Sequence, residues 1–134
     1  MISHHVALVY TMVLASAADQ DMSDRELHMI GEIIGFLPVF EGFNHSGLGE
    51  ISNACVDLLQ DEDGIDTVLE LVKNGLPVRL RETAYALACD VVAADGTALQ
   101  QELQMLELLQ QKLELDRLTA AAIERGARAR FIRA

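Results

Sequence analysis

The sequence predicts an all-α fold: a single domain over residues 1–134, formed by a bundle of about seven helices built on two pseudo-repeated helix-turn-helix corners. Half of the residues are hydrophobic, yet there is no tryptophan and only four phenylalanines, two tyrosines and two prolines occur. Leucine, alanine, valine, isoleucine and methionine dominate, which favours helices packed on helices. No segment alternates polar and apolar residues with a period of two, so we expect no strands.

Besides the composition and the absence of polar–apolar alternation, a third observation is a helix-turn-helix corner at residues 93–103. Gly96 permits the positive φ that a tight turn needs, and Thr97 can cap the next helix, with Gln100 at the spacing of a capping box. Asp95 then lies at the mouth of the turn, and Glu102 lies about one turn into the following helix. The segment thus predicts two carboxylates at one corner.

This corner has a copy earlier in the chain. A shift of 76 residues aligns Asp19 with Asp95 and Glu26 with Glu102. Internal repeats of this kind organise a whole fold, and we place repeat 1 at about 3–36 and repeat 2 at about 78–115. The apolar positions of the following helices align as well: Met29 with Met105, Ile30 with Leu106, and Ile33 with Leu109.

The first repeat predicts two helices and a loop. The first helix, about 3–18, is apolar almost all round and should be largely buried. Ser23 and Glu26 have the spacing of a capping box that opens a second helix, which continues to about Gly35. Pro38 and Gly42 then break the chain. The loop carries three rings that we expect to cover the end of the core: Phe36, Phe40 and Phe43.

The rest of the chain predicts five more helices. Ser46 is a candidate cap for the third, and Asp116 for the seventh. Asp61–Gly64 is an acidic link that we interpret as a helix cap with exposed neighbours, and Pro77 follows the end of the fourth helix. The predicted ranges are 48–60, 65–73, 78–94, 98–115 and 117–130.

Charge limits the partners of this protein. The net charge is −11, and residues 1–116 hold 20 of the 21 acidic residues and five of the ten basic ones, whereas the last eighteen hold five arginines and one glutamate. An acidic body repels phosphates and attracts cations, so we expect no nucleic-acid partner. No apolar run approaches a bilayer-spanning length, although peripheral membrane association stays open.

Two further sequence features bear on the cellular location of the protein. Cys55 and Cys89 stand alone in apolar helical surroundings, which indicates buried thiols in a reducing compartment, and hence a cytoplasmic protein. Val6–Leu14 followed by small residues imitates a secretion signal. We favour a structural first helix instead, because no lysine or arginine precedes it and its copy at 84–94 lies within the chain.

With both corners defined, the chain resembles the TerB-like family, which is named after tellurite-resistance operons. The resemblance covers about Val6 to Asp116 and rests on Ala17-Ala18-Asp19…Glu26 and Ala93-Ala94-Asp95-Gly96…Glu102. It departs from the family pattern at Gln20, where glycine is usual. The resemblance implies an all-α bundle with a clustered acidic site for a divalent metal. The family also occurs as an accessory domain of some membrane-associated J-domain co-chaperones.

The chemistry of the four carboxylates fits a hard cation. If the repeats pack about a pseudo-twofold axis, Asp19, Glu26, Asp95 and Glu102 face one another, and a bound cation relieves their repulsion. Oxygen ligands suit Ca²⁺, Mg²⁺ or Mn²⁺. The alternative is that these acids only end and cap helices, as acids near helix N-termini commonly do. No EF-hand is predicted, since Asp24 stands where that loop needs glycine.

Other polar residues are predicted to have ordinary roles. His28 is expected at the surface, His4, His5 and His45 match no metal motif, and Asp90 is expected to be a solvated acid. No nucleophile–base motif or phosphate loop occurs, so we predict no catalytic residues and no enzyme.

The function expected is therefore a non-catalytic, cytoplasmic TerB-like stress-response protein that binds a divalent cation and a protein partner. A purely structural interaction module or homodimer without metal is the alternative. Direct tellurite binding is disfavoured, because an oxyanion would meet a strongly negative surface.

Overall fold

The computed structural model describes residues 1–16, 23–35, 37–96 and 100–134. Over these ranges the chain forms seven helices and no strand, which confirms the predicted all-α class. Three short 3₁₀ turns occur at Pro38–Phe40, His45–Gly47 and Val78–Leu80. The helices are α1 His4–Ser16, α2 Asp24–Ile34, α3 Leu48–Leu59, α4 Gly64–Gly75, α5 Arg81–Asp95, α6 Gln100–Lys112 and α7 Arg117–Phe131.

Helix α1 is the centre of the bundle. Every residue from 7 to 15 is buried, because α3, α4, α5 and α6 all pack around it. A helix that is apolar on all sides is stable in water only when it is enclosed in this way. The prediction of a buried structural helix is confirmed. Among the described residues, no helix combines the length and the apolarity that crossing a bilayer requires.

Helix α5 is the second central helix and packs along α1. Helix α2 packs on α5, and α6 packs on both α1 and α5. The first corner, residues 17–22, lies outside the described residues, as does 97–99 in the second.

Side-chain hydrogen bonds cap the starts of α2 and α7. The predicted capping box of Ser23 and the predicted cap of Asp116 are confirmed: the Thr119 N–H donates to Asp116 Oδ1 at 2.8 Å. The prediction for Ser46 is wrong, because a 3₁₀ turn precedes α3 and the side chain of Asn44 accepts from the Ser46 N–H. The Thr97 cap predicted for α6 lies outside the described residues.

An aromatic cluster closes one end of the core, as predicted from the loop. Phe40 is buried and Phe43 is half-buried, with their rings packed edge to face. His5 stacks on Phe40, and its Nε2 lies 2.8 Å from the carbonyl oxygen of Val39. The cluster anchors the start of α1 to the loop after α2. The third predicted ring, Phe36, lies outside the described residues.

Candidate functional site: the acidic corner and the groove beside it

The second corner begins where α5 ends. Gly96 has φ of +81°, a left-handed conformation that glycine adopts without steric cost, and its N–H donates to the Ala93 carbonyl at 3.2 Å. This confirms the conformation predicted for Gly96. Asp95, the last residue of α5, is exposed at the mouth of the corner. Helix α6 is described from Gln100 onward, and its predicted start at 98 falls within the undescribed residues 97–99.

Glu102 is the unusual residue of this corner. It is the third residue of α6, and its side chain is only 8% exposed. Among the described residues it is the one charged side chain that is buried. It lies on the same stripe of α6 as Met105, Leu106 and Leu109, so the face that enters the core carries a carboxylate at its first turn. Burying a carboxylate is costly unless hydrogen bonds or a cation offset the lost hydration.

Glu26 holds the aligned position in α2 and has a different environment. Its Oε1 accepts hydrogen bonds from the Ser23 N–H at 3.1 Å and from the Ser23 hydroxyl at 2.9 Å, and the Glu26 N–H donates to Ser23 Oγ at 3.1 Å. The side chain is half-buried. The capping role that was the alternative to a metal ligand is therefore observed for Glu26.

The structure brings together only part of the predicted metal site. Asp19 belongs to residues 17–22 and lies outside the described residues. Within the described part of the chain, no group of three or more His, Cys, Asp or Glu side chains is arranged to hold a metal ion. Glu26, Asp95 and Glu102 therefore do not form such a group by themselves. The four-carboxylate site stays a prediction.

Two other acidic features differ from their predicted roles. Asp90 was expected to be solvated, but its side chain is only 16% exposed and forms an ion pair with Arg130 of α7. The sequence missed this pair because the two residues are 40 positions apart. The acidic link before α4 lines a surface cavity of about 650 Å³, and Asp63 precedes α4 without a side-chain cap hydrogen bond.

The histidines and cysteines largely follow expectation. His28 is exposed and lies 2.9 Å from Glu32 one turn later. His45 packs against the ring of Phe43. Cys55 and Cys89 are free and buried, and burial raises the pKa of each thiol to about 12. Both are therefore protonated near neutral pH and unreactive while the protein is folded.

Sequence reasoning also missed a groove of about 640 Å³ beside the acidic corner. Its floor is one side of α5, and its walls come from α6 and from the end of α7. At the floor, the Tyr85 hydroxyl donates to Glu124 Oε2 at 2.6 Å, and burial together with this hydrogen bond raises the pKa of Tyr85. The apolar part of the lining includes Val92, Ala93, Leu103, Leu106, Phe131 and Ile132.

A sequence signal for this groove did exist. Leu103, Phe131 and Ile132 are large apolar residues in strongly polar stretches, and all three are exposed. Glu124 is the single acid in an arginine-rich segment. An apolar residue in a polar stretch, or a single acid among arginines, indicates a tertiary contact that helical periodicity does not reveal.

Comparison of the chain with protein-family models, curated proteins and solved structures finds no match.

Proposed function

We propose that this protein is a non-catalytic, TerB-like helical domain of a cytoplasmic stress response, which binds a divalent cation through carboxylates of its duplicated corners. The proposed ligands are Asp19, Glu26, Asp95 and Glu102. The proposal is supported above all by the burial of Glu102 in the first turn of α6, next to the left-handed turn at Gly96. A carboxylate in this position would gain more from a cation than an exposed one, because little water competes for it.

The charge of the molecule supports the same proposal. A net charge of −11 raises the local concentration of cations around the corner and repels oxyanions. The carboxylate oxygens suit Ca²⁺, Mg²⁺ or Mn²⁺. Any link between this protein and tellurite would then be indirect, through the cation or through a protein partner.

The packing of α2 and α6 suggests what cation binding would do. Because α2 packs on α5 and α6 packs on α1, a ligand shared by both corners would tie the two halves of the bundle together. Binding would favour the conformation in which the carboxylates converge. A partner surface next to the corner would respond to the ion.

Calorimetric titration of the EDTA-treated protein with Ca²⁺, Mg²⁺ and Mn²⁺ tests the proposal. We expect heat from at least one ion and a melting temperature that rises by several degrees, since a ligand at 100 times its Kd adds about 2.7 kcal/mol of stability. Asp95→Asn and Glu102→Gln should each abolish both effects. If none of the three ions produces heat or raises the melting temperature, the proposal is wrong.

The chain offers matched controls for both variants. Asp57→Asn makes the same change of charge at an exposed position in α3, and Glu50→Gln does so in the first turn of that helix. Both should retain the heat and the shift in melting temperature. If these controls lose binding as well, net charge and not the corner attracts the ion.

The alternative is a structural interaction module without a metal. The groove beside the corner favours it, and the capping box gives Glu26 a role that needs no ion. This alternative predicts that the ions leave the melting temperature unchanged, and that association through the groove survives the combined loss of Glu26, Asp95 and Glu102.

A further inference from the structure

The groove between α6 and α7 exposes an apolar surface on a small protein. Both helices pack on α5, and within the described residues they share no extensive contact with each other. The side of α5 between them is left open, with Val92 and Ala93 at its floor. Exposed apolar grooves with polar edges commonly mark sites of protein association.

Three charged side chains line the groove. Glu107 contributes a carboxylate from α6, Glu124 contributes a carboxylate from α7 at the floor, and Arg128 contributes a guanidinium from α7. Because two of the three charges are negative, an occupant of this groove should combine apolar side chains with positive charge.

The chain itself contains a segment with this chemistry. Residues 125–133 carry four arginines and no acid, and they also hold the exposed pair Phe131 and Ile132. Arg130 is engaged by Asp90, but the other three arginines make no ion pair within the described part of the chain. Because this segment forms one wall of its own groove, it cannot fill that groove in the same copy.

We propose that the groove is a self-association surface, in which the 125–133 segment of a second copy lies against α5 and α6 while its own groove receives the first copy. The contact is isologous, as twofold dimer interfaces are. Phe131 and Ile132 of each copy cover apolar floor of the other. Arg128 of each copy lies near Glu107 of the other, so the basic end of one molecule meets an acidic edge of its partner.

Sedimentation velocity of the full chain in EDTA, over a range of concentrations, tests this surface without any contribution from a cation. We expect a reversible monomer–dimer equilibrium. Ile132→Asp should weaken the dimer at least tenfold, because Ile132 is 75% exposed in the monomer and buried in the dimer. Ile132 follows the last helical residue, so the substitution leaves the helices intact.

Leu118→Asp is the matched control. Leu118 lies in α7, the helix that Ile132 follows, and it is 82% exposed and not part of the groove. Its replacement introduces the same charge and removes a leucine of similar size, and dimerisation should persist. Circular dichroism and urea denaturation of each variant establish that folding is unchanged.

A charge exchange distinguishes contact between copies from contact within one copy. Glu107→Arg and Arg128→Glu should each weaken self-association about tenfold, because each places like charges across the interface. An equimolar mixture of the two variants should dimerise again, since every Arg then faces a Glu in the mixed dimer.

Three outcomes would overturn the proposal. The wild-type chain could stay monomeric at hundreds of micromolar, in which case the groove serves another partner. Ile132→Asp and Leu118→Asp could affect the dimer equally, or the mixture of charge variants could remain monomeric. None of these results depends on a metal, so none of them contradicts the cation proposal, which the calorimetric titration tests separately.

Discussion

Helices α2 and α6 each carry a glutamate that a shift of 76 residues aligns in the sequence, but the environments of these two side chains differ. In each helix the third residue is a glutamate, Glu26 or Glu102. Glu26 is half-buried and closes a capping box, whereas Glu102 is buried on the stripe that faces the core. Position in a helix is thus set locally, but burial depends on the helices packed against it.

The neighbours account for the difference. Helix α6 packs on α1, α4 and α5, and α2 packs on α3 and α5. The buried residues of α2 are Ile30 and Ile34, whereas the stripe of α6 extends from Glu102 to Leu109. One copy of the corner is therefore closed by a local cap, and the other is held by tertiary packing.

The largest effect on stability is expected at the aligned positions Ile33 and Leu109. Leu109 is fully buried and Ile33 is only partly buried. Leu109→Ala should cost about 3 kcal/mol of unfolding free energy, and Ile33→Ala only about 1 kcal/mol, because the cost rises with the buried apolar surface that is removed and with the volume of the cavity that remains. Urea denaturation monitored by circular dichroism measures both. Equal losses would show that the two helices are held in the same way.

An intermediate effect is expected from the cap of α2. Ser23→Ala removes the acceptor of the Glu26 N–H and should cost about 1 kcal/mol. Ser46→Ala is the control, because Ser46 was a predicted cap that the structure does not use as one, and it should change stability by less than about 0.5 kcal/mol. If both changes cost the same, the capping box does not stabilise the first corner.

The smallest effect concerns pH and the start of the first repeat. Burial, and to a lesser extent His5 and Arg79, lower the pKa of His4 below its ordinary 6.5. The folded state thus favours neutral His4, so its contribution is complete above pH 6.5 and decreases as the pH falls through the pKa of the unfolded chain. The urea midpoint should decline slightly between pH 7.5 and 5.5.

His4→Gln should flatten that decline, because the substituted side chain does not titrate. A steeper decline in His4→Gln would mean that protonation of His4 stabilises the fold.

Much of the fold could be predicted from the sequence, and the reasons are local. The all-apolar pattern of α1 predicts a central helix, Ser23 and Asp116 predict caps, and Gly96 predicts a left-handed turn. Each rests on residues within one or two turns of each other. Ser46 failed as a cap because the preceding residues form a 3₁₀ turn whose acceptor is Asn44.

The candidate site was predictable only in part. The sequence identified Asp95 and Glu102 as a corner, but it could not distinguish the environments of Glu26 and Glu102. It also missed the ion pair of Asp90 with Arg130 and the hydrogen bond of Tyr85 with Glu124, which join α5 to α7. Contacts between residues about 40 positions apart leave no periodic signal.

By itself, the sequence determined the helices, the caps of α2 and α7, the acidic character of the body and the positions of the aligned carboxylates, since each depends on neighbouring residues or on simple sums of charge. Only the tertiary structure decided that Glu102 is buried while Glu26 caps its helix, and that α6 and α7 leave an apolar groove open on α5. Those features depend on which helix faces meet, and many faces of similar apolarity compete for the same neighbours until the whole chain packs.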